Sequence, residues 1–181
     1  MTEIKNNPAL LEKEAKDLYR AGKFQQAAEC FSEAAAFYLK NEENLLTAEM
    51  RNNQSVALLK AKKPRLALDA VLGTDEIFQE AGDFLKQGMA LANRATALQD
   101  LGEKQKAIDD FDRAAEIFKN SGEKDLYLQT KQSISALKLK TRNIAGALFS
   151  MQEGLDELEK PNLRQKFLRT LLRIPQNLID K

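Results

Sequence analysis

The chain has 181 residues, 43% of them apolar and 30% charged, the profile of a soluble globular protein able to bury a core. Lys and Arg number 28 against 27 Asp and Glu, so a net charge of +1 supplies no global field to steer nucleic acid. Histidine is absent and Cys30 is the single cysteine, which removes the commonest general acid/base and metal ligand as well as any intrachain disulfide.

The opening stretch MTEIKNNPALLEKEAK lacks the apolar h-region of a secretory signal, and no run of about 18 apolar residues suits a membrane span, so a cytoplasmic location is expected. Helical spacing of apolar residues starts near residue 8. Ala15 and Leu18 precede a break at Ala21-Gly22, and Ala27, Phe31, Ala34 and Tyr38 follow it as far as Asn41. The next stretch repeats this order as Ser55, Leu58, a break at Lys63-Pro64, then Ala67, Val71 and Phe78 before Gly82. A third copy runs Ala95, Leu98, Gly102, Ala107, Phe111, Ala114 and Phe118 to Gly122. The fourth keeps Ser135, a break at Arg142-Asn143, Ala147, Met151 and Leu158 before Lys160-Pro161.

Corresponding residues recur every 40 positions, as in Ala27, Ala67, Ala107 and Ala147. Self-similarity at a fixed interval is the signature of a repeat architecture whose single units cannot bury both faces. Each unit reads as two helices, with glycine suited to a left-handed C-cap and Pro64 or Pro161 suited to a first helical turn. Strand-favouring runs and hairpin dipeptides are missing. The expected fold is therefore all-α, with units at 8–41, 44–81, 84–121 and 124–160 in a repeat domain covering residues 1–160.

Two units depart from the pattern. In the second, Lys62 replaces the turn glycine, and Thr74-Asp75 stand where the first and third units have Ala-Ala. Gly73 precedes them, so a kink or break is expected there, since glycine inside a helix costs about 1 kcal/mol relative to alanine. In the fourth, Lys138 falls in the Leu98 column and Gly154 in the Ala114 column, as though that hairpin were slipped or degenerate.

Residues 161–181, PNLRQKFLRTLLRIPQNLIDK, carry a net charge of +4 and leave −3 for the rest. On a helical wheel Leu163, Phe167, Leu168, Leu171, Leu172 and Ile174 share a face opposite Lys166, Arg169 and Arg173. The segment reads first as a capping helix over the last hairpin, because repeat arrays need a polar cap. Docking on an anionic membrane or an acidic partner ranks below that. Pro175 should end the helix at or before Ile174.

The series Ala95, Leu98, Gly102, Ala107, Phe111, Ala114 and its match Ala15, Leu18, Gly22, Ala27, Phe31, Ala34 resemble the tetratricopeptide repeat. The 40-residue interval exceeds the usual ~34 and is similar to the longer repeats of spindle-orientation adaptors, kinesin light chains and the soluble attachment proteins of vesicle fusion. The resemblance covers roughly residues 8 to 160. It implies a right-handed superhelical array of about four antiparallel hairpins, a TPR-like α-solenoid with the tail as cap, whose concave face binds a peptide or helix.

Carried onto this chain, the groove-facing columns are Glu12, Lys16, Tyr19 and Arg20, then Asn52, Asn53 and Lys60. In the later units they are Met89, Asn93, Thr96, Gln99 and Asp100, then Gln129, Gln132 and Lys140. Asn53 and Asn93 share a column in which the long-repeat adaptors hold a ligand's main chain, and an amide can donate and accept at once. Equally, both could be ordinary solvated polar residues. The chaperone-tail clamp of some tetratricopeptide proteins wants Lys and Asn, then Lys and Arg, where this chain has Glu12, Lys16, Met89 and Asn93, which disfavours a chaperone C-terminus.

Other chemistry finds little support. Asp109, Asp110 and Asp112 read as a solvated helix face rather than a metal site. Cys30, in the column of Ala70, Asp110 and Ser150, is expected to be partly exposed and, without histidine, a poor nucleophile. Neither G-x-x-x-x-G-K-[ST] nor G-x-G-x-x-G occurs. No catalytic residue, cofactor or metal is assigned, and the basic tail has too few aromatics for nucleic acid. The expected function is a non-enzymatic adaptor for a protein or peptide partner. The alternatives are a self-assembling homo-oligomeric scaffold and a peripheral membrane regulator acting through the tail.

Overall fold

In a computed structural model the described residues are 7–172. Among them every regular element is an α-helix: Pro8–Arg20 (α1), Phe24–Lys40 (α2), Asn44–Lys60 (α3), Pro64–Val71 (α4), Thr74–Glu80 (α5), Phe84–Asp100 (α6), Lys104–Asn120 (α7), Lys124–Lys140 (α8), Ile144–Asp156 (α9) and Leu163–Leu172 (α10). The protein is thus an all-α helical repeat. It divides into two compact units, Met1–Asp110 and Phe111–Lys181, with the division inside α7. Arg173, Ile174, Pro175 and Lys181, invoked above for the tail, lie outside the described residues.

The 40-residue interval has a backbone cause. From α1 to α9 the helices are separated by linkers, most of three residues, whose middle residue has positive φ: Gly22, Glu42, Lys62, Gly82, Gly102, Gly122 and Arg142. Each linker closes the preceding helix by the same two hydrogen bonds. At the first, Gly22 N–H donates to Tyr19 O at 3.0 Å and Lys23 N–H to Leu18 O at 2.9 Å. At the fifth, Gly102 N–H donates to Gln99 O at 3.0 Å and Glu103 N–H to Leu98 O at 2.9 Å. This is the Schellman pattern, which satisfies terminal carbonyls and reverses the chain so that consecutive helices pack side by side.

Packing follows the repeated columns. Ala15, Ser55, Ala95 and Ser135 are all buried, as are Ala27, Ala67, Ala107 and Ala147. Small side chains there let backbones approach, while Phe31, Val71, Phe111, Phe78 and Phe118, also buried, fill the remaining space. Fully burying one such side chain contributes about 1.5–3 kcal/mol. In the first unit α1 packs on α2, α2 on α3, and α3 and α6 on both α4 and α5. Ala48, Val71, Phe78 and Ala90 form one cluster there, with Ile77 against it. In the second unit α8 packs on α9 and α9 on α10.

The second hairpin is broken where expected. Its second helix stops at Val71, Leu72 is extended (φ −57°, ψ 130°), Gly73 takes φ 78°, and α5 begins at Thr74. The Thr74 hydroxyl bridges the break by donating to Val71 O at 2.8 Å.

The fourth hairpin corrects the expectation of a slip. α8 and α9 start at residues 124 and 144, in step with 84 and 104. Lys138, in the leucine column, keeps its place by donating its ammonium to the Ser150 hydroxyl at 3.0 Å. Gly154 is buried where a Cβ would meet Lys131 Cβ at 2.9 Å and Leu128 Cδ1 at 3.0 Å, so glycine marks close helix approach rather than degeneracy. Only the length differs, since α9 ends at Asp156.

Pro161 does not open the last helix. Asn162 does, by a reciprocal cap: its Oδ1 accepts from Gln165 N–H at 2.9 Å and its N–H donates to Gln165 Oε1 at 2.8 Å.

Candidate functional site

The groove residues expected from sequence separate into distinct environments. On the first unit, Lys16, Tyr19 and Arg20 of α1 and Asn53 of α3 line one surface pocket of about 230 Å³, together with Phe31 of α2 and Val56 of α3. The spacing explains the meeting. Lys16, Tyr19 and Arg20 are three and four residues apart on one helix face, and Asn53 and Val56 are three apart on the helix packed beyond α2. The Tyr19 ring is held edge-on against Phe24 at 5.2 Å between centroids, which fixes the wall.

Charge at this pocket is moderated locally. Lys16 pairs with Glu12, and Arg20 with Asp17 at 3.0 Å. Both are exposed i, i+4 or i, i+3 pairs of the kind that contribute under about 1 kcal/mol. Such pairs hold both cations only weakly at the pocket rim. The floor is apolar and the rim basic.

Asn52 corrects the outward-facing assignment: it is buried, and Asn93 of α6 donates to its Oδ1 at 2.9 Å. Asn93 is thereby engaged with a neighbouring helix, while Asn53, one residue on and rotated by about 100°, reaches the pocket. Thr96 is half-buried and returns its hydroxyl to Ala92 O at 2.8 Å. Gln99 is half-buried, and Lys60 and Met89 are exposed. Gln132, exposed on α8, belongs to the second unit.

A polar cluster that sequence reasoning missed lies in the first unit. Arg94 of α6 donates from Nε and one terminal nitrogen to Asp110 of α7, at 2.7 and 2.8 Å, and from the other to Asp75 of α5 at 2.9 Å. All three side chains are largely buried. Hydrogen bonding to Asp110 raises the Arg94 pKa further, so this cation stays charged. Asp110 is therefore not part of a solvated face, as the run of Asp109, Asp110 and Asp112 had suggested. The available signal was Asp75 in a column that otherwise holds Ala35, Ala115 and Leu155, and Asp110 in one that otherwise holds Cys30, Ala70 and Ser150; the Arg94 column, with Glu14 and Gln54, offered none.

No group of three or more Cys, Asp or Glu among the described residues could hold a metal ion. Cys30 is half-buried, and burial followed by Glu14, Glu33 and Glu29 pushes its thiol pKa up, away from a reactive thiolate. No described helix is long and apolar enough to cross a membrane.

Comparison with curated proteins finds no match. The family described as soluble NSF attachment protein, SNAP, matches residues 5–172. That span includes the repeated hairpins, the pocket residues and α10, and the chain belongs to the soluble NSF attachment protein family.

Proposed function

We propose that the protein is a non-enzymatic adaptor of tetratricopeptide type, acting in the cytoplasm, and that its partner-binding groove is centred on the pocket of Lys16, Tyr19, Arg20 and Asn53. The family is one of helical adaptors that bind SNARE and NSF partners. The observation that carries the reading is the convergence of those four side chains, with Phe31 and Val56, on one apolar-floored, basic-rimmed pocket. Such a site takes an apolar anchor side chain from a helix, orients it through the Asn53 amide, and rewards an adjacent carboxylate with Lys16 or Arg20.

The test is calorimetric titration of a SNARE helical bundle into the full chain and into variants. Tyr19→Ala with Asn53→Ala is expected to weaken binding at least tenfold, and Lys16→Glu with Arg20→Glu to weaken it further and flatten its salt dependence. Affinity unchanged in both pairs, with circular dichroism unaltered, would place the partner elsewhere.

A further inference from the structure

α10 holds an apolar stripe that no described residue of its own unit covers. The helix rests on α9 by the side that carries Arg169, whose Nε donates to Asp156 Oδ1 at 2.7 Å. On a wheel of about 100° per residue, half-buried Gln165, Leu168 and Leu172 fall on that same side. Leu163, Phe167 and Leu171 run in a row along the opposite side and are 86%, 67% and 60% exposed.

The charge around this row has one sign. Arg164 borders it on one flank and Lys166 on the other, neither forms an ion pair among the described residues, and positions 161–172 contain no Asp or Glu. The carboxylates just before the helix are already matched: Glu153 by Lys131 at 3.1 Å, Asp156 by Arg169, Glu157 by Lys119 at 3.1 Å, and Glu159 by Lys124. What faces outward is a row of bulky apolar side chains with a cation on each flank.

We propose that α10 docks this protein on an anionic phospholipid surface, a role separate from the groove. Leu163, Phe167 and Leu171 enter the boundary between headgroups and acyl chains, while Arg164 and Lys166 meet lipid phosphates and carboxylates on either side. Ten residues make a helix of about 15 Å, which lies along a bilayer rather than across it. An acidic protein is the less fitting occupant, because the three row positions are all apolar and the cations beside them, Arg164 on one flank and Lys166 beyond exposed Thr170 on the other, have no carboxylate among them. A plane meets the row and both of these cations at once.

Sedimentation of the full chain with vesicles tests this, using phosphatidylcholine alone and phosphatidylcholine with phosphatidylserine. Binding is expected only to the second, released by salt as the Debye length shortens. Arg164→Gln with Lys166→Gln should weaken it about 25-fold, near fivefold for each cation, and Phe167→Ser about tenfold or more. All three side chains are exposed, so circular dichroism should be unchanged. No sedimentation, equal binding to both vesicles, or indifference to these substitutions overturns the proposal. So does Phe167-dependent self-association, or Phe167-dependent binding to polyglutamate, without vesicle binding.

Discussion

α2 and the pair α4–α5 occupy equivalent places in the first and second hairpins, yet one is a continuous helix of 17 residues and the other is two pieces of 8 and 7. The difference sits in four positions. Where α2 has Ser32, Glu33, Ala34 and Ala35, the second hairpin has Leu72, Gly73, Thr74 and Asp75. Glycine removes the cost of a left-handed residue, and Thr74 supplies the hydroxyl that caps Val71. Asp75 then lands in a buried column made for alanine, and Arg94 answers it. The repeat tolerates a broken helix because its turns and small-residue columns are kept on both sides, and because one buried cation ties α5 to α6 and α7.

Removing that cation is the most disruptive way to probe the comparison. Arg94→Gln places at residue 94 the side chain that Gln54 has in the preceding hairpin, but withdraws the guanidinium that binds Asp75 and Asp110. A loss of about 3–5 kcal/mol is expected from breaking a buried ionic cluster on one side. Adding Asp75→Ala and Asp110→Ala, the residues of the Ala35 and Ala70 columns, should restore most of it, since well-packed apolar replacement of a buried ion group is often neutral. Urea unfolding of the single and triple variants decides. A triple variant as unstable as the single one would mean that the cluster shapes the fold beyond its own charges.

Turn substitutions act on the same contrast at smaller size. Gly73 and Gly102 both have positive φ, and a Cβ at either would meet nothing within 4 Å, so alanine there tests backbone strain alone. Each change should cost about 1–2 kcal/mol. In the opposite direction, Lys62 pays this strain already at φ 59°. Lys62→Gly should therefore stabilise by about 1 kcal/mol, the strain relief less the entropy glycine adds to the unfolded chain. If Gly73→Ala proves silent while Gly102→Ala does not, the break in the second hairpin is held by Asp75 and Arg94 and the glycine is incidental.

Much of this architecture was legible in sequence because helix crossings impose small residues at a constant interval and Schellman turns impose their own spacing. The break at Gly73 was legible for the same reason, as a lapse in an otherwise regular column. Arg94 was not, since a charged residue read along one helix looks solvated until three helices are seen to converge on it. Lys16, Tyr19, Arg20 and Asn53 could be grouped by helical spacing and the 40-residue offset, whereas Asn52 could not be told from Asn53 until α6 was in place. The exposure of Leu163, Phe167 and Leu171 was equally hidden, because amphipathicity states that a helix has an apolar face but not which neighbour takes it.

The second unit buries a phenol beside Lys131, which pairs with Asp112 at 3.6 Å and Glu153 at 3.1 Å, and this gives the mildest test. Tyr127 of α8 is buried in a column where the first unit has Thr47 and Gln87. The Lys119 and Lys131 ammonium groups lie 5.8 and 5.6 Å from its ring centroid. Its hydroxyl pKa is pushed up to about 12, first by burial and then by Glu153, Glu157 and Asp112. A folded-state pKa above the ordinary value of about 10 means that the neutral phenol favours the folded state fully below pH about 10, and that this contribution disappears as pH rises through about 12. Thermal melts of the native chain should therefore fall across that window more steeply than those of Tyr127→Phe. Parallel slopes would show that the phenol ionises as freely in the folded protein as in the unfolded one. The second unit would then be wetter at α8 than the first is at Arg94.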